Sequence, residues 1–340
     1  MVGLQLSDVS HRYRKSKFLL DNINISCKKG DVICLLGPSG CGKSTILRLI
    51  SGLEKLQSGS ICINNKVIAN EKVFVPTENR NIGLIFQHPS LFPHQTVIEN
   101  VMFAIRDVSG SQKVSIALEM LASINMEHYK DVYPHMLSGG QQQLITIIRA
   151  IAQQPDIMLF DEPFSNLDTM LKLKIRKHIL LILKQHNITV VLVTHDPEEA
   201  LEVADKIYVM SDGYIVQSGT ASEVYYNPKN HILAQFFGEV NCFYSKVVNK
   251  SVHLSIGKIP TTFNEGDNVM VCIRPEAIIP QQYGVGVKVI VKFVKFFCNM
   301  LCVGSKDNLY WMRFSGAVLP KIGDNIFVSL NIDQVLLFKL

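Results

Sequence analysis

The chain has 340 residues, of which 47% are hydrophobic and 19% are charged, and its formal net charge at pH 7 is +5. This length predicts two domains with sizeable apolar cores, and no uncharged stretch approaches the ~18 residues that a membrane-spanning helix needs. The charge is mild and the lysines form no basic stripe, so we expect no nucleic-acid partner.

The eight cysteines include no C-x-x-C pair, which favours a reduced, cytosolic chain over a disulfide framework. The first residues show no charged stretch followed by an apolar run, so no secretory signal is expected. One cysteine, Cys41, lies inside a glycine-rich loop. We expect its thiol to be the one that alkylating reagents reach.

The N-terminal segment, residues 4–30, predicts an antiparallel β layer, because short apolar runs alternate there with turns. Tyr13 lies in this segment, well before the glycine-rich loop. Its ring is of the kind that stacks on an adenine base. The alternative is a half-buried tyrosine of the core.

A phosphate-binding loop of the pattern G-x-x-x-x-G-K-[ST] follows the apolar run 32–36 and precedes a helical pattern. It consists of Gly37, Pro38, Ser39, Gly40, Cys41, Gly42, Lys43, Ser44 and Thr45. Its glycines let backbone N–H groups point at phosphate oxygens, and the helix adds its positive dipole end. We expect Lys43 to contact the β- and γ-phosphates and Ser44 to hold Mg²⁺. The alternative is an ordinary glycine-rich turn.

The next buried strand, residues 81–87, ends at Gln87, whose amide oxygen can hold Mg²⁺ or position water. Thr96 and Glu99 then form the capping box of a helix. Residues 97–137 predict an all-helical insertion.

A second capping box lies at Ser138-Gly139-Gly140-Gln141. Because its two glycines leave the helix N-terminus unobstructed, the pattern predicts a second anion site, distinct from the phosphate loop. The alternative is a glycine-containing turn between two helices.

Two further buried strands end in polar residues. The run 157–160 is followed by Asp161 and Glu162, and the run 189–193 leads to His195. Open α/β sheets bind ligands at the carboxyl ends of their strands. We expect Asp161 to support Mg²⁺, Glu162 to accept a proton from attacking water, and His195 to contact the γ-phosphate or that water. The alternatives are an acid pair at a turn and a structural histidine.

The composition changes near residues 227–230, and beyond residue 240 short β runs dominate. Residues 266–271 recur in similar form at 323–328. Two related hairpins would suit a small β-barrel built from a duplicated unit.

Taken in order, these motifs resemble those of the ATP-binding subunit of an ABC importer, along the whole chain. The resemblance assigns the phosphate loop, the Q-loop Gln87, the signature 137–141, the Walker B end Asp161-Glu162, the D-loop 165–168 and the H-loop His195. It implies that Tyr13 stacks on adenine, that Glu162 is the catalytic base, and that His195 senses the γ-phosphate. One departure is Leu144, where the family usually has Arg, whereas Arg149 is kept.

The fold that the resemblance implies is α/β, with a P-loop NTPase (ABC ATPase) domain at 1–235 that contains a helical subdomain at about 90–150. A small C-terminal all-β, OB-like barrel domain follows at 241–340. It resembles the TOBE-like regulatory domain of importers of the maltose, spermidine, sulfate and ferric-iron type, on the motif 272–276.

The resemblance further implies an ATPase that energises solute import with ATP and Mg²⁺. It is nearest to ferric-iron importers, on residues 91–94 and 236–241. The alternatives are polyamine, sulfate or sugar import, and a soluble ligand-sensing ABC ATPase with weak turnover. The implied partners are a second copy in a head-to-tail homodimer, integral membrane permease subunits and, indirectly, a periplasmic solute-binding protein. The implied location is the cytoplasmic face of the inner membrane.

Overall fold

The computed structural model describes residues 1–13, 19–164, 169–305, 308–316 and 318–340. The chain divides into two compact units, Met1–Ala221 and Ser222–Leu340. No helix in the described part of the chain is both long enough and apolar enough to cross a bilayer.

The first unit contains both strands and helices. Its strands are β1 (Val2–Arg12), β2 (Leu19–Lys28), β3 (Val32–Leu36), β4 (Ser58–Ile63), β5 (Lys66–Ala69), β6 (Ile82–Ile85), β7 (Ile157–Asp161), β8 (Thr189–Thr194), β9 (Lys206–Ser211) and β10 (Tyr214–Gly219). Its helices are α1 (Lys43–Ser51), α2 (Val97–Ala104), α3 (Gly110–Ser123), α4 (Gly139–Ile151), α5 (Thr169–Gln185) and α6 (Pro197–Val203).

The central sheet of this unit has the strand order β10-β9-β3-β8-β7-β6. All neighbours in it are parallel except β9 and β10, which form an antiparallel hairpin at Asp212-Gly213. Along β8, Val190 and Leu192 enter one core while Val191 and Val193 enter the other. Both faces are therefore covered, and this explains why these strands are continuous apolar runs in the sequence.

Different layers cover the two faces. One face packs against α1 and the predicted antiparallel layer, which has the order β2-β1-β4-β5. The apolar residues expected to form this layer are all buried, namely Leu4, Leu6, Val9, Leu20, Ile23 and Ile25. The other face packs against α2–α5, so that the predicted helical insertion shares a core with the central sheet.

The topology brings the polar strand ends to one edge. The phosphate loop follows β3, His195 follows β8, Glu162 follows β7 and Gln87 follows β6. Because these strands are parallel and adjacent in the order β3-β8-β7-β6, their carboxyl ends share the edge at which open α/β sheets bind ligands.

The second unit is mainly β structure. It contains α7 (Ala221–Tyr226), α8 (His231–Phe236), β11 (Asn241–Lys246), β12 (Ser251–Leu254), β13 (Gly257–Pro260), β14 (Asn268–Ile273), β15 (Ile278–Gln281), β16 (Val287–Lys295), β17 (Met300–Ser305), β18 (Asn308–Arg313), β19 (Asn325–Leu330) and β20 (Val335–Lys339). The domain bounds 1–235 and 241–340 stay a prediction. The division into compact units falls at the start of α7, between Ala221 and Ser222.

Three groups of strands build this unit, with the orders β11-β14-β20, β12-β13 and β15-β19-β16-β17-β18. The last of these curls into a half-barrel, consistent with the predicted OB-like domain. The internal sequence similarity also has a structural counterpart. Gly266 and Gly323 both adopt positive φ, and the carboxylates of Asp267 and Asp324 each accept a backbone N–H from three residues earlier. The two copies therefore form the same turn before β14 and β19.

Candidate functional site

The phosphate loop joins the fully buried strand β3 to the N-terminus of α1. Gly42 caps that helix at φ 109°, in the left-handed region that favours glycine. A Cβ at Gly37 would lie 2.3 Å from the Met210 carbonyl oxygen, so only glycine fits there. These two glycines set the curvature that leaves the first turn of α1 open to an anion.

Lys43 is the first residue of α1, and its side chain is 5% exposed. Its ammonium donates hydrogen bonds to the carbonyl oxygens of Gly37 at 2.7 Å and Pro38 at 2.9 Å. The charge is thus held over the loop in a largely dry environment, where its attraction for a phosphate is stronger than in water.

Ser44 and Asp161 meet across the end of the sheet. The Ser44 hydroxyl donates to Oδ1 of Asp161 at 2.9 Å. Burial raises the pKa of the Asp161 carboxyl, and the neighbouring Glu162 carboxylate adds to this, while the Ser44 hydrogen bond acts in the opposite sense. A hydroxyl and a carboxylate side by side are hard oxygen ligands of the kind that Mg²⁺ prefers. Ser44 and Asp161 therefore suit the Mg²⁺ ion that we expected them to hold.

Glu162 and His195 form the second pair at this edge. Oε1 of Glu162 lies 3.2 Å from Nδ1 of His195, and the two side chains are 24% and 57% exposed. The backbone of Glu162 has φ 48°, an uncommon conformation for a residue with a long side chain. The amide of Glu162 donates to the Val193 carbonyl oxygen, which fixes the turn to β8. Backbone strain of this kind is typical of functional sites.

An open pocket of about 410 Å³ lies at this edge of the sheet. It is lined by Tyr13, Ser39, Gly40, Gly42, Lys43, Ser44, Thr45 and Glu162. Asp161 and His195 do not line it themselves but contact the lining residues Ser44 and Glu162. The candidate adenine platform, the phosphate loop and the candidate base therefore share one pocket, whose volume is in the range of small-molecule sites.

Behind Tyr13 lies a residue that the sequence reasoning missed. The His11 ring contacts the Tyr13 ring edge to face, with centroids 5.1 Å apart, and is 4% exposed. Its Nε2 lies 3.8 Å from a carboxylate oxygen of Glu54, while burial lowers the pKa of His11. His11 therefore packs against the candidate adenine platform and does not itself line the pocket. The available signal was its place near the end of β1, two residues before Tyr13.

A network of charged residues behind His195 was also missed. Asp196 caps α6 and accepts a hydrogen bond of 3.1 Å from Lys172 of α5. The Thr194 hydroxyl donates to Glu199 at 2.6 Å, and Glu199 in turn pairs with Arg176. The backbone on both sides of His195 is therefore fixed to α5 and α6. In the sequence, Asp196-Pro197-x-Glu199 indicates only the start of a helix.

The remaining predicted residues lie apart from this pocket. Gln87 is exposed, two residues beyond the end of β6. Ser138, Gly139, Gly140 and Gln141 begin α4, where both bonds of the predicted capping box form and where Ser138 and Gly139 are exposed. None of these residues is among the described residues that line the pocket. The predicted D-loop 165–168 lies outside the described residues.

The expectation about Cys41 is wrong. Its side chain is 4% exposed, because the phosphate loop folds it inward against the sheet. Burial also raises the pKa of its thiol, although the adjacent Lys43 acts in the opposite sense. The exposed thiol is that of Cys298 in the second unit.

The loop that follows Gln87 is held in place by two polar side chains. The buried side-chain amide of Asn100 accepts a hydrogen bond from the Phe92 backbone N–H at 2.8 Å and donates one to the Phe92 carbonyl oxygen at 3.1 Å. Arg149 donates to the Ser90 carbonyl oxygen at 2.6 Å, and its guanidinium lies 5.1 Å from the Phe92 ring centroid. Leu144, where the family pattern has Arg, is instead partly buried against the core of the helical insertion.

Comparison with known proteins agrees with this geometry. The family model described as "ABC transporter" matches residues 20–165. The chain is 38% identical over 285 residues to the Fe(3+) ions import ATP-binding protein FbpC of Escherichia coli O157:H7, covering 83% of this chain and 80% of that protein. It is 36% identical over 291 residues to the spermidine/putrescine import ATP-binding protein PotA of Haemophilus influenzae strain Rd, covering 82% and 77%.

Among solved structures, one neighbour is the dimeric, post-hydrolysis state of the ATP-binding cassette MJ0796 bound to ADP and Pi. It has a TM-score of 0.55 and 32% identity, and the match covers 64% of this chain and 98% of that one.

Proposed function

Since this chain belongs to the family of ABC importer ATP-binding proteins, we propose that it is the ATP-hydrolysing subunit of a ferric-iron importer. ATP hydrolysis coupled to import follows from the family. The observation that supports the assignment of the site is the single pocket that joins Tyr13, the phosphate loop and Glu162.

In the proposed mechanism, each residue acts on a different part of the nucleotide. Tyr13 stacks on the adenine ring, while Lys43 and the loop N–H groups neutralise the phosphate charge. Glu162 orients a water molecule in line with the γ-phosphate and accepts its proton, and His195 contacts the γ-phosphate beside it. The 3.2 Å contact between Glu162 and His195 supports these paired roles.

Ser44 and Asp161 are the proposed Mg²⁺ residues, with Gln87 as a third oxygen ligand when the site closes. Mg²⁺, when bound, supplies charge neutralisation on the phosphate oxygens. The Ser44 hydroxyl and the Asp161 carboxylate lie 2.9 Å apart. These two hard oxygen ligands would hold the ion together.

The signature residues serve the ATP of a second copy in this proposal. Ser138 and Gly139 are exposed at the N-terminus of α4 and do not line the chain's own pocket, as the described residues define it. A head-to-tail, two-fold pair would place each signature over the phosphate loop of the other copy. The dimeric state of the similar cassette MJ0796 supports this arrangement.

We assign the contact with the membrane permease to residues 88–103. Asn100 and Arg149 brace the start of this segment, and the Phe103 side chain is 61% exposed while touching Phe92 with centroids 4.7 Å apart. A braced loop that presents the exposed ring of Phe103 can transmit a movement from Gln87 to a partner. The chain would then act at the cytoplasmic face of the inner membrane, with a periplasmic solute-binding protein delivering cargo from the other side.

The cargo is tested by measuring uptake in cells that lack this chain, complemented either by the wild type or by Glu162→Gln. We expect ferric-iron uptake to fall in the deletion strain and to recover with the wild type alone, while spermidine uptake stays normal. The reverse pattern would assign polyamine import, which the similarity to PotA favours as the second candidate. Co-purification of the chain with membrane subunits from solubilised membranes distinguishes both from a soluble ATPase.

A further inference from the structure

Two cysteines of the second unit face each other across neighbouring strands. Cys242 on β11 is the direct partner of Cys272 on β14 in the antiparallel register, and their sulfur atoms are 3.2 Å apart. Opposed residues in antiparallel strands have Cα atoms about 4.5–5.5 Å apart, which lies inside the range of disulfide-bonded cysteines. The strand pairing therefore places the two cysteines within the range in which a disulfide can form.

The surroundings of the pair give it one accessible and one protected thiol. Cys242 is partly exposed and accepts a hydrogen bond of 3.3 Å from the Gln235 side-chain amide of α8. Cys272 is fully buried, beside Ala234 and Met270. An oxidant can thus reach the Cys242 sulfur, and the Cys272 sulfur stands within contact distance to react next.

We propose that Cys242 and Cys272 are a thiol pair that hydrogen peroxide converts reversibly into an intramolecular disulfide. The Cys242 thiolate attacks one peroxide oxygen, the O–O bond breaks, and sulfenic acid and water form. The Cys272 sulfur then attacks the Cys242 sulfur, the S–O bond breaks, and a second water leaves. In total, two thiols are oxidised to one disulfide while one peroxide is reduced to two waters.

A metal site is the competing use of such a pair. A closed zinc site needs four ligands from cysteine, histidine or acidic residues. No group of three or more such residues able to hold a metal occurs in the described part of the chain. Among the described residues, the two sulfurs therefore lack the further ligands that a closed zinc site needs.

The other described thiols lack this arrangement. Cys302 is buried opposite Trp311 and Phe293, and Cys27 is opposite Leu4. Cys34 is opposite Leu192 and Ile207, and Cys62 is opposite Gln5 and Val67. Cys298 is exposed, outside any strand. Cys41 is buried in the phosphate loop. Oxidation at the Cys242–Cys272 pair would thus tie β11 to β14 and leave the phosphate loop chemically unchanged.

The test treats the folded full-length chain with hydrogen peroxide, removes the peroxide, and then denatures and alkylates the protein. We expect the intact mass to show two fewer alkyl groups than the eight of the reduced chain, with all eight restored by dithiothreitol. Peptide mapping of the wild type should recover Cys242 linked to Cys272. Eight alkyl groups after peroxide, or a bond between any other cysteines, would overturn the proposal.

Matched variants sharpen the result. Cys298→Ser removes the exposed thiol and should still lose two alkyl groups on oxidation. Cys242→Ser should lose none, and Cys272→Ser should give a sulfenic acid at Cys242 that a sulfenic-acid reagent traps. If Cys298→Ser alone prevented the loss, the reactive thiol would be Cys298 and the pair would be excluded. The peptide map of the wild type keeps the test valid if a variant fails to fold.

Discussion

The Ser44 hydroxyl donates a 2.9 Å hydrogen bond to the Asp161 carboxylate, although the two residues are 117 positions apart in the chain. Ser44 lies in the first turn of α1, and Asp161 is the last residue of β7. Their contact joins the phosphate loop to the Walker B end and puts two hard oxygen ligands in one place. The candidate Mg²⁺ site is therefore assembled by the packing of α1 against the sheet.

Glu162→Gln should bind ATP but scarcely hydrolyse it. The amide keeps the shape of the side chain but cannot accept a proton, and loss of a general base typically costs ~10²–10⁴-fold in rate. Steady-state phosphate release and fluorescent ATP binding measure the two effects separately. An ATP-bound dimer should accumulate, and turnover near the wild-type rate would exclude Glu162 from this role.

Tyr13→Ala should weaken ATP binding, while Tyr13→Phe should leave it unchanged. Stacking of a base on an aromatic ring is worth ~1–3 kcal/mol, or roughly 5–150-fold in affinity. The Phe variant is the matched control, because the Tyr13 hydroxyl has no hydrogen-bond partner among the described residues. Equal affinities of all three chains in equilibrium titrations would show that Tyr13 is a core residue only.

Asp196→Asn should destabilise the fold at neutral pH, and the deficit should shrink in acid. Burial raises the pKa of Asp196, but the hydrogen bonds and charge of Lys172 and the α6 backbone outweigh it, so the pKa is lowered on balance. A carboxyl with a lowered folded-state pKa stabilises the fold above its unfolded value, and this contribution is lost as the pH falls through the folded value. Asn remains a good helix N-cap, so the substitution removes mainly the charge.

Thermal unfolding of the wild type and the variant is measured at pH 7 and in steps down to about pH 3, a range that includes the ordinary pKa values of carboxyl groups. Asp131→Asn is the control, since the Asp131 side chain is 79% exposed. A deficit for Asp196→Asn that stayed constant over this range would contradict the role of the charge.

Deletion of residues 241–340 should leave a folded, ATP-binding chain, because domains carry their own cores. The matched comparison is a chain that ends at residue 221, where the compact units divide. In the longer chain, α8 would lose the β14 residues Met270 and Cys272 that cover Ala234. Circular dichroism and ATP titration of both chains locate the boundary, and unfolding of both would show that the first unit depends on the second.

Lys43→Ala and Ser138→Arg should each abolish hydrolysis alone and restore part of it when mixed. In a head-to-tail mixed dimer, one site carries both lesions, while the other combines an intact phosphate loop with an intact signature. Because only one of the two sites is intact, the activity of a mixed dimer should reach at most about half of that of a wild-type dimer.

The control for the mixing experiment is ATP-dependent dimerisation of the Glu162→Gln chain, measured by light scattering. A stable ATP-bound dimer without restored activity would mean that both sites must be intact for turnover. A chain that stays monomeric at saturating ATP, together with no restored activity, would contradict the shared site.

Short sequence patterns were enough to predict the local parts of this protein. The helix after the phosphate loop and both capping boxes depend on such patterns, and all of them form as predicted. The apolar runs of the parallel strands predicted a doubly covered sheet with polar residues at its ends, because strands buried on both faces must be apolar throughout.

Which of these parts meet became visible only in the folded chain. The inward-facing Cys41, the His11 ring behind Tyr13, the Lys172–Asp196 contact and the opposed Cys242 and Cys272 all depend on contacts between segments that no local pattern specifies. The register of two strands and the burial of a side chain result from the packing of the whole unit, and a shift of one residue would turn each side chain to the other face. This is why the motifs were visible in the sequence, while the pairs that join them were not.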